Sequence, residues 1–305
     1  MMNTKVETTS FYSGEKLGFH RKKREKKPKA KIHWTVGLVI TYVFLVFMLV
    51  IYLAPLLWTF MVSFKTNAEI FTSPFTPPRI LQLGNYIVAW TAGHLGSATL
   101  NSFAVSVITL ALSMFLGATI SFALGIMRWK GQTAVLTYFM MGMMIPVHCV
   151  LIPLFTRFAH MGLSNTLTGI IIPYLTFSLP TVIFIMTGFF KSLPHELIES
   201  ACIDGANIYQ IFWKIAVPLA RTGFFVTGMM TFIANWNELL LAMVFISDDE
   251  KKTLPVALSK FVGPYNTNYS QMFAAIVLAI IPTIVVYCCF SNQIVDGLTA
   301  GAVKG

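Results

Sequence analysis

One acidic side chain stands inside a long uncharged run in the last third of the chain. Glu238 is the only charged residue of 222–247, and a carboxylate at the centre of a membrane helix costs about 2.5–3.5 kcal/mol on insertion scales. Asn235 and Glu238 are three apart and share a helix face, with Trp236 and Asn237 adjacent. This polar patch beside an aromatic ring suits the hydroxyls and apolar face of a sugar. Interhelical hydrogen bonding, or a position near the outer interface, explains the residues equally well.

The remaining reactive side chains do not form a catalytic or metal-binding pattern. His148 and Cys149 are adjacent, so on a helix they point about 100° apart, and no third group accompanies them. The other cysteines, Cys202, Cys288 and Cys289, have neither a disulfide nor a C-x-x-C spacing. No G-x-x-x-x-G-K-[ST] sequence that would cradle a phosphate occurs. We therefore predict a non-enzymatic chain that binds no metal or cofactor, so any ATP and magnesium belong to a partner.

The elements that position these residues are apolar helices. The 305 residues are 56% hydrophobic and only 11% charged, whereas about 25% are charged in a soluble domain. Mean hydropathy is +0.71. Crossing the hydrocarbon layer takes about 20 mostly apolar residues, and the uncharged gaps in the sequence supply six such stretches. The predicted fold is an all-α integral membrane protein with spans near 34–61, 98–127, 133–155, 167–189, 222–247 and 272–290.

The charges predict the orientation of the chain. Residues 1–31 hold ten Lys and Arg against three Glu, which is +7 of the net charge of +10. With the N-terminus inside, 16 of the 22 basic residues lie on the cytoplasmic face, as the positive-inside rule favours. Without residues 1–31 the count is six against six. We predict cytoplasmic termini and interpret 1–31 as a basic anchor beside the first span, rather than a secretory signal or a nucleic-acid site.

Residues 191–221 predict a structured cytoplasmic segment between the fourth and fifth spans. Pro194 suits a first helical position, and Gly205 predicts a helix end and a turn before a second helix, which Pro218 closes. One apolar stripe follows four-residue steps along the first helix: Leu193, Leu197 and Ala201. Such an element either rests in the headgroup region or docks into a groove on a partner.

The spacing within 191–221 resembles the EAA loop of bacterial ATP-binding cassette (ABC) import permeases. Its motif residues are Glu199, Ser200, Ala201, Asp204, Gly205, Ala206, Ile215, Val217 and Pro218, with Ser for the usual second Ala and Val for the usual Leu. Further segments resemble carbohydrate-class permeases: Asn101-Ser102, Pro146, 152–154, 162–166 and 236–238. The terminus 297–305 is similar to that of G-type subunits of maltose-type importers. The resemblance covers about two thirds of the chain.

This resemblance implies a six-helix, maltose-type ABC importer permease in a bacterial inner membrane. Residues 191–221, called the EAA loop below, would seat on a cytoplasmic ATPase dimer, and Gly301, Lys304 and Gly305 would also reach it. A second, F-type permease subunit would complete a heterodimeric pore that works by alternating access. An extracytoplasmic solute-binding protein would deliver an oligosaccharide, monosaccharide or polyol and contact the outer loop, 247–270. The implied regions are the tail 1–31, first span and outer loop 32–97, core 98–291 and cytoplasmic tail 292–305.

Other interpretations remain open at this stage. An ion-coupled secondary transporter is a different class, but such proteins usually carry several ionisable groups at mid-membrane depth, and here only Glu238 interrupts a predicted span. A membrane scaffold without transport activity is a further alternative. The EAA loop would then only stabilise the helix bundle, 247–270 would be an ordinary solvated loop, and 297–305 a disordered tail.

Overall fold

The computed structural model describes residues 35–263 and 267–302, and its regular elements there are all helices. A short π-helical turn, Phe212–Ala216, separates two of them. In chain order the helices are α1 (Val36–Val62), α2 (Asn67–Thr72), α3 (Gly84–Ala92), α4 (Leu95–Gly125), α5 (Gln132–Met143), α6 (Val147–His160), α7 (Leu167–Lys191), α8 (His195–Ile203), α9 (Ile208–Ile211), α10 (Val217–Leu219), α11 (Arg221–Trp236), α12 (Leu240–Phe245), α13 (Leu254–Ser259) and α14 (Tyr269–Ala302).

Three of these helices are long and apolar enough to cross a membrane, namely α1, α4 and α7. They coincide with the predicted spans at 34–61, 98–127 and 167–189. Helix α14 contains a shorter apolar stretch, Tyr269–Val285, which overlaps the predicted sixth span, 272–290. The all-α membrane fold is therefore confirmed, while the count of six crossings stays a prediction.

The predicted third span, 133–155, is divided between two helices. Helices α5 and α6 meet at 90°, and the break falls at Pro146, which precedes α6 with an extended ψ of 128°. Proline has no N–H to bond back into α5, and its ring disfavours a helical conformation at Ile145. The chain therefore bends at Pro146, where the sequence analysis had predicted a straight helix.

The predicted fifth span, 222–247, is interrupted as well. Helix α11 ends at Trp236 and the chain becomes helical again only at Leu240 in α12. The segment α9–α10 meets α11 at 76°, with Pro218 in the last turn before the bend. Glu238 therefore lies in a break between two helices, not inside a continuous helix as the sequence suggested.

Helices α4 and α7 pack closely because small residues line their contact. A Cβ placed on Gly117 of α4 would clash with Cγ1 of Val182 on α7, so only glycine permits this approach. Four residues further on, the Ser121 hydroxyl donates a hydrogen bond to the carbonyl of Ile183 at 3.0 Å. This interhelical bond satisfies a hydroxyl that is fully buried.

The C-terminal segment that the sequence suggested as a tail, 292–305, is helical over the part that the structure describes. The backbone of α14 stays helical from Tyr269 through Ala302, so most of 292–305 continues the last helix. Gly301 belongs to that helix, whereas Lys304 and Gly305 lie outside the described residues.

Candidate functional site

A polar cavity of about 280 Å³ lies between α7 and the α11–α12 break. Its α7 lining extends from Tyr174 to Ile185, about 16 Å along the axis at 1.5 Å per residue. Helix α7 ends six residues beyond Ile185, at Lys191. The polar residues of the lining are Tyr174, Ser178, Thr181, Thr227, Thr231, Asn235 and Glu238. We call this space the polar cavity.

The Glu238 carboxylate is held by the protein around it. It accepts hydrogen bonds from the backbone N–H groups of Leu241 at 2.9 Å and Ala242 at 3.2 Å, at the start of α12. The Tyr174 hydroxyl donates to the same carboxylate at 2.6 Å. An acid at a helix N-terminus satisfies amides that have no partner within the helix. Glu238 therefore has a structural role at the break while it also lines the cavity.

Asn235 and Glu238 line the same cavity, as their spacing suggests. The Asn235 amide exchanges hydrogen bonds of 3.3 Å with the Ser178 hydroxyl on α7. Thr227, two turns earlier on α11, is buried with a hydroxyl that has no hydrogen-bond partner in the described structure. A buried unpaired hydroxyl is costly, and Thr227 is the residue of the described cavity lining that carries one.

Trp236 and Asn237 do not join this cavity. Trp236 is buried and stacks on Phe232, with ring centroids 5.7 Å apart. The exposed Asn237 donates its side-chain amide to the carbonyl of Ile233 at 2.9 Å. Both line a separate space of about 50 Å³. The aromatic that the sequence placed beside the acid instead packs in the core, and Tyr174 is the aromatic that touches Glu238.

Tyr174 and Ser178 are the two cavity residues missed by sequence reasoning that bond directly to Glu238 and Asn235. They are four apart on α7 and so share a face. Nothing in the sequence singles them out, because a tyrosine and a serine are unremarkable in a membrane helix. Only the pairing of α7 with α11 brings them to Glu238 and Asn235.

The EAA loop forms the helix, turn and helix that its sequence predicts. Gly205 has a φ of +79°, which suits glycine. The N–H of Ala206 bonds to the Ala201 carbonyl at 2.9 Å, and that of Gly205 to Cys202 at 3.1 Å. These two bonds are a Schellman C-cap of α8. Asn207 and Gln210 then form a capping box at α9.

The buried face of α8 differs from the predicted stripe by one residue. Leu193, Ile198 and Ala201 pack in a cluster with Phe190 of α7 and Phe212 of the π turn. Leu197 is exposed, because it lies about 100° from Ile198 around the helix. Leu193 and Ala201 were correctly placed, and the cluster fixes α8 against the end of α7.

The outward face of the EAA loop is exposed and partly apolar. Ile203 is 85% exposed, Tyr209 75% and Trp213 55%. Of the motif residues, Glu199, Ser200, Asp204, Gly205 and Pro218 are exposed, while Ala206 and Ile215 are half-buried. Exposed large apolar side chains on such a loop suit either a docked partner or the lipid headgroup region.

The outer loop, 247–270, is fastened to the helices by residues that the sequence analysis had noted. The Asn101 amide donates to the carbonyls of Glu250 at 2.8 Å and Lys252 at 3.1 Å, and the Ser102 hydroxyl accepts the Leu254 N–H at 2.7 Å. Asn165 accepts the N–H groups of residues 247 and 248 through its side-chain oxygen. The start of this loop is thus built into the fold.

Ion pairs add to the structure of the outer loop. Asp249 lies 2.6 Å from the Lys252 ammonium and 2.7 Å from that of Lys260, and hydrogen bonds from these two lysines lower the pKa of Asp249 to about 2. The pKa of Asp248 is also lowered, first by the backbone N–H of Glu250. Both acids therefore remain ionised at any physiological pH.

Among the described residues no cluster of three or more His, Cys, Asp or Glu side chains is placed to hold a metal ion.

A helical membrane protein with a polar cavity between spans and an exposed two-helix loop has the features of a transport permease. The chain belongs to the family described as binding-protein-dependent transport system inner membrane component, whose sequence profile matches residues 117–297. Members of this family are transporter subunits and not enzymes, and the chain is accordingly a multi-pass membrane protein.

Relatives of known role support the same assignment. The chain is 34% identical to the diacetylchitobiose uptake system permease protein NgcG of Streptomyces coelicolor, over 87% of this chain and 88% of the relative. It is 33% identical to the trehalose transport system permease protein SugB of Mycobacterium tuberculosis, over 83% and 93%. A bacterial ABC transporter that imports alginate shares the fold, with a TM-score of 0.74, 23% identity and coverage of 86% and 99%.

Proposed function

We propose that this chain forms half of the translocation pore of an ATP-driven carbohydrate importer and couples that pore to a separate ATPase through the EAA loop. The exposed apolar side chains of the loop, Ile203, Tyr209 and Trp213, carry this proposal. The rigid helix α8, capped at Gly205 and packed on Phe190 and Phe212, would transmit movement of the ATPase to α7. ATP and magnesium would bind the ATPase dimer alone.

The polar cavity supports an uncharged carbohydrate as the substrate. Its described lining offers hydroxyl and amide groups but no Lys, Arg or His, and Glu238 is the one charged residue there. An anionic sugar would meet a carboxylate without a compensating cation, which is unfavourable at low dielectric. Hydroxyl groups match the donors and acceptors of Ser178, Thr227 and Asn235. The relatives named for diacetylchitobiose and trehalose fit this class.

The remaining partners follow from the same proposal. An F-type permease subunit would complete the pore, and a solute-binding protein would dock on the outer loop, 247–270, whose first part is anchored to Asn101 and Asn165. Both termini would then be cytoplasmic, and Gly301, Lys304 and Gly305 would approach the ATPase. The proposed core, 98–291, overlaps the family match at 117–297, and its limits stay a prediction.

Uptake by the assembled importer tests this proposal. The chain, its permease partner and the ATPase are reconstituted into liposomes that enclose ATP, with the solute-binding protein outside. The transported sugar is first identified by calorimetry of the binding protein against a panel of neutral and anionic sugars. We expect uptake of a neutral sugar that stops when ATP is depleted and continues in a proton ionophore.

The same assay separates the alternative class. Uptake that collapses with the ionophore and survives ATP depletion would identify an ion-coupled secondary transporter. Failure of any ATPase to co-purify would argue against a coupling role for the EAA loop. Preference of the importer for an anionic sugar would overturn the substrate class while leaving the ATP-driven mechanism in place.

A further inference from the structure

A second cavity, of about 470 Å³, opens where α4, α7 and α8 come together. Three basic side chains from three different segments line it. Arg128 follows the end of α4, Lys191 is the last residue of α7, and His195 is the first of α8. The side-chain amide of Gln132 and the hydroxyl of Thr133 add polar groups. We call this space the basic cavity.

These three basic residues have no counter-charge among the described residues. No Asp or Glu belongs to the described lining of the basic cavity, and no ion pair joins Arg128, Lys191 or His195 to another described residue. Glu196, next to His195 in the chain, is exposed and outside the lining. Helix dipoles favour one cation at a helix C-terminus, but they do not explain why three basic groups from separate segments share one space. All three side chains are exposed, and together they offer an anion several donors without a competing carboxylate in the described lining.

The surroundings of the basic cavity match the level of lipid headgroups. Arg128 and Lys191 lie at the ends of the spans α4 and α7, where Lys and Arg meet the membrane surface. Met127 and Leu136 also line the cavity. The exposed Trp129 stands beside it in the chain, and tryptophan favours this interface. Cations over apolar side chains suit a phosphate that carries acyl chains.

We propose that the basic cavity binds the phosphate of an anionic phospholipid headgroup, with Arg128 and Lys191 as its permanent cations and His195 as a third donor. The proposal rests on the proposed function only in that the EAA-loop face is taken as cytoplasmic. A lipid held there contacts both α7 and α8, the two helices that the coupling movement would pass through. Binding itself does not require transport.

Native mass spectrometry of the full chain, with the subunits that co-purify, tests this site. The delipidated protein is titrated with phosphatidylglycerol and with phosphatidylcholine of the same acyl chains. We expect tighter retention of phosphatidylglycerol, and a loss of about thirtyfold in its affinity in the Arg128→Gln/Lys191→Gln variant, since each cation near an anionic surface contributes about a fivefold factor. Arg128→Lys, which keeps the charge, should retain the lipid.

The matched control is Lys130→Gln, compared with the single variant Arg128→Gln, because Lys130 is exposed and lies outside both the cavity and the EAA loop. It should bind phosphatidylglycerol as the unmodified protein does. An equal loss in this control, or no preference for phosphatidylglycerol over phosphatidylcholine, would overturn the proposal. Displacement of the lipid by millimolar inorganic phosphate would assign the site to a free anion instead. A variant that keeps the lipid but loses the ATPase subunit would make the cluster a protein interface.

Discussion

At the residue scale, the carboxylate of Glu238 has about four positions that accept hydrogen bonds. Leu241, Ala242 and Tyr174 occupy three of them. About one position is left for a substrate hydroxyl. The bond to Tyr174 fits the interhelical hydrogen-bonding interpretation of this acid, while contact with a substrate in the polar cavity stays a prediction.

Glu238→Gln separates these two roles from each other. The amide offers one oxygen where the carboxylate offers two, so an amide N–H of α12 or the Tyr174 hydroxyl loses its acceptor, at a cost of about 1–3 kcal/mol. We expect a lower melting temperature and a several-fold loss of sugar uptake. Tyr174→Phe removes one donor to the carboxylate and serves as the comparison. Unchanged uptake and stability in Glu238→Gln would contradict both roles.

Substitution of Thr227 tests contact with the ligand separately from stability. Its buried hydroxyl has no partner among the described residues, so Thr227→Val keeps the shape and removes an unpaired polar group. We expect equal or higher thermal stability together with weaker uptake, a combination that a purely structural role would not produce. The control is Thr109→Val on α4, which is likewise buried and unpaired there but does not line the cavity. Equal uptake in both variants would remove Thr227 from the pathway.

The sequence analysis singled out Glu238 and predicted that it shares a face with Asn235, because charge and helical spacing can be read directly from a sequence. Its failure with Trp236 has a physical cause. A tryptophan next to a polar residue on a helix points about 100° away from it, so adjacency in the chain puts Trp236 on the Phe232 side and Asn235 on the Ser178 side. Partners such as Tyr174 come from another helix, which single-sequence patterns do not specify.

At the element scale, the turn at Gly205 links two rigid helices and fixes their angle. A Cβ at Gly205 would contact nothing within 4 Å, so the positive φ of 79° is the only constraint on this position. The effect of a substitution therefore reports backbone conformation without a steric clash. This makes Gly205 a suitable probe of the EAA loop.

Gly205→Val should uncouple ATP hydrolysis from uptake, because a β-branched residue strongly resists positive φ and would change the path from α8 to α9. Gly205→Asn is the matched control, since asparagine tolerates the left-handed region. We expect retained basal ATPase activity with a loss of uptake of about tenfold or more in the valine variant, and near-normal coupling in the asparagine variant. Full ATP-driven uptake by the Gly205→Val importer would refute this role of the turn.

The outer loop allows a prediction on pH. The pKa of Asp249 falls to about 2 in the folded loop, from an ordinary value of 3.8, so its ion pairs with Lys252 and Lys260 are complete above the ordinary value and are lost only as pH falls towards 2. His94 also pairs with Glu250 in this loop, at 2.7 Å, and an imidazole changes charge between pH 7 and pH 5, so the measurement is made in a His94→Gln background. Hydrogen exchange of residues 248–260, corrected for intrinsic rate, should there be the same at pH 7 and pH 5, and Asp249→Asn should raise it at both. A change between pH 7 and pH 5 in the His94→Gln protein would show that another group controls the loop.

Some helix boundaries could be predicted from the sequence, and others could not. The sequence located the spans at α1, α4 and α7 to within a few residues. A continuous apolar run that crosses a bilayer must satisfy its own backbone hydrogen bonds, and it does so as a helix. The 90° bend between α5 and α6 was not predicted, although the sequence analysis had noted Pro146. Proline marks where a helix is weakened, but the direction in which the chain then turns depends on packing with neighbouring helices.

At the scale of the whole molecule, the last helix extends well past its apolar part. The apolar run ends at Phe290, and the backbone of α14 stays helical for 12 further residues, to Ala302, about 18 Å at 1.5 Å per residue. The sequence predicted a cytoplasmic tail at 292–305, with a terminus at 297–305 similar to that of G-type subunits. The helical backbone of 292–302 supports the proposed approach of this terminus to the ATPase.

Removal of residues 300–305 tests whether this reach matters to the assembled importer. The deletion shortens α14 by its last turn and takes away Gly301, Lys304 and Gly305, while the apolar stretch Tyr269–Val285 stays intact. We expect the complex to assemble normally by size-exclusion chromatography. Its ATPase activity should depend several-fold less on the loaded solute-binding protein, because one of the two contacts proposed between this chain and the ATPase is lost while the EAA loop remains. Wild-type coupling in the deletion variant would show that the EAA loop alone carries the signal, and would remove the terminus from the proposed mechanism.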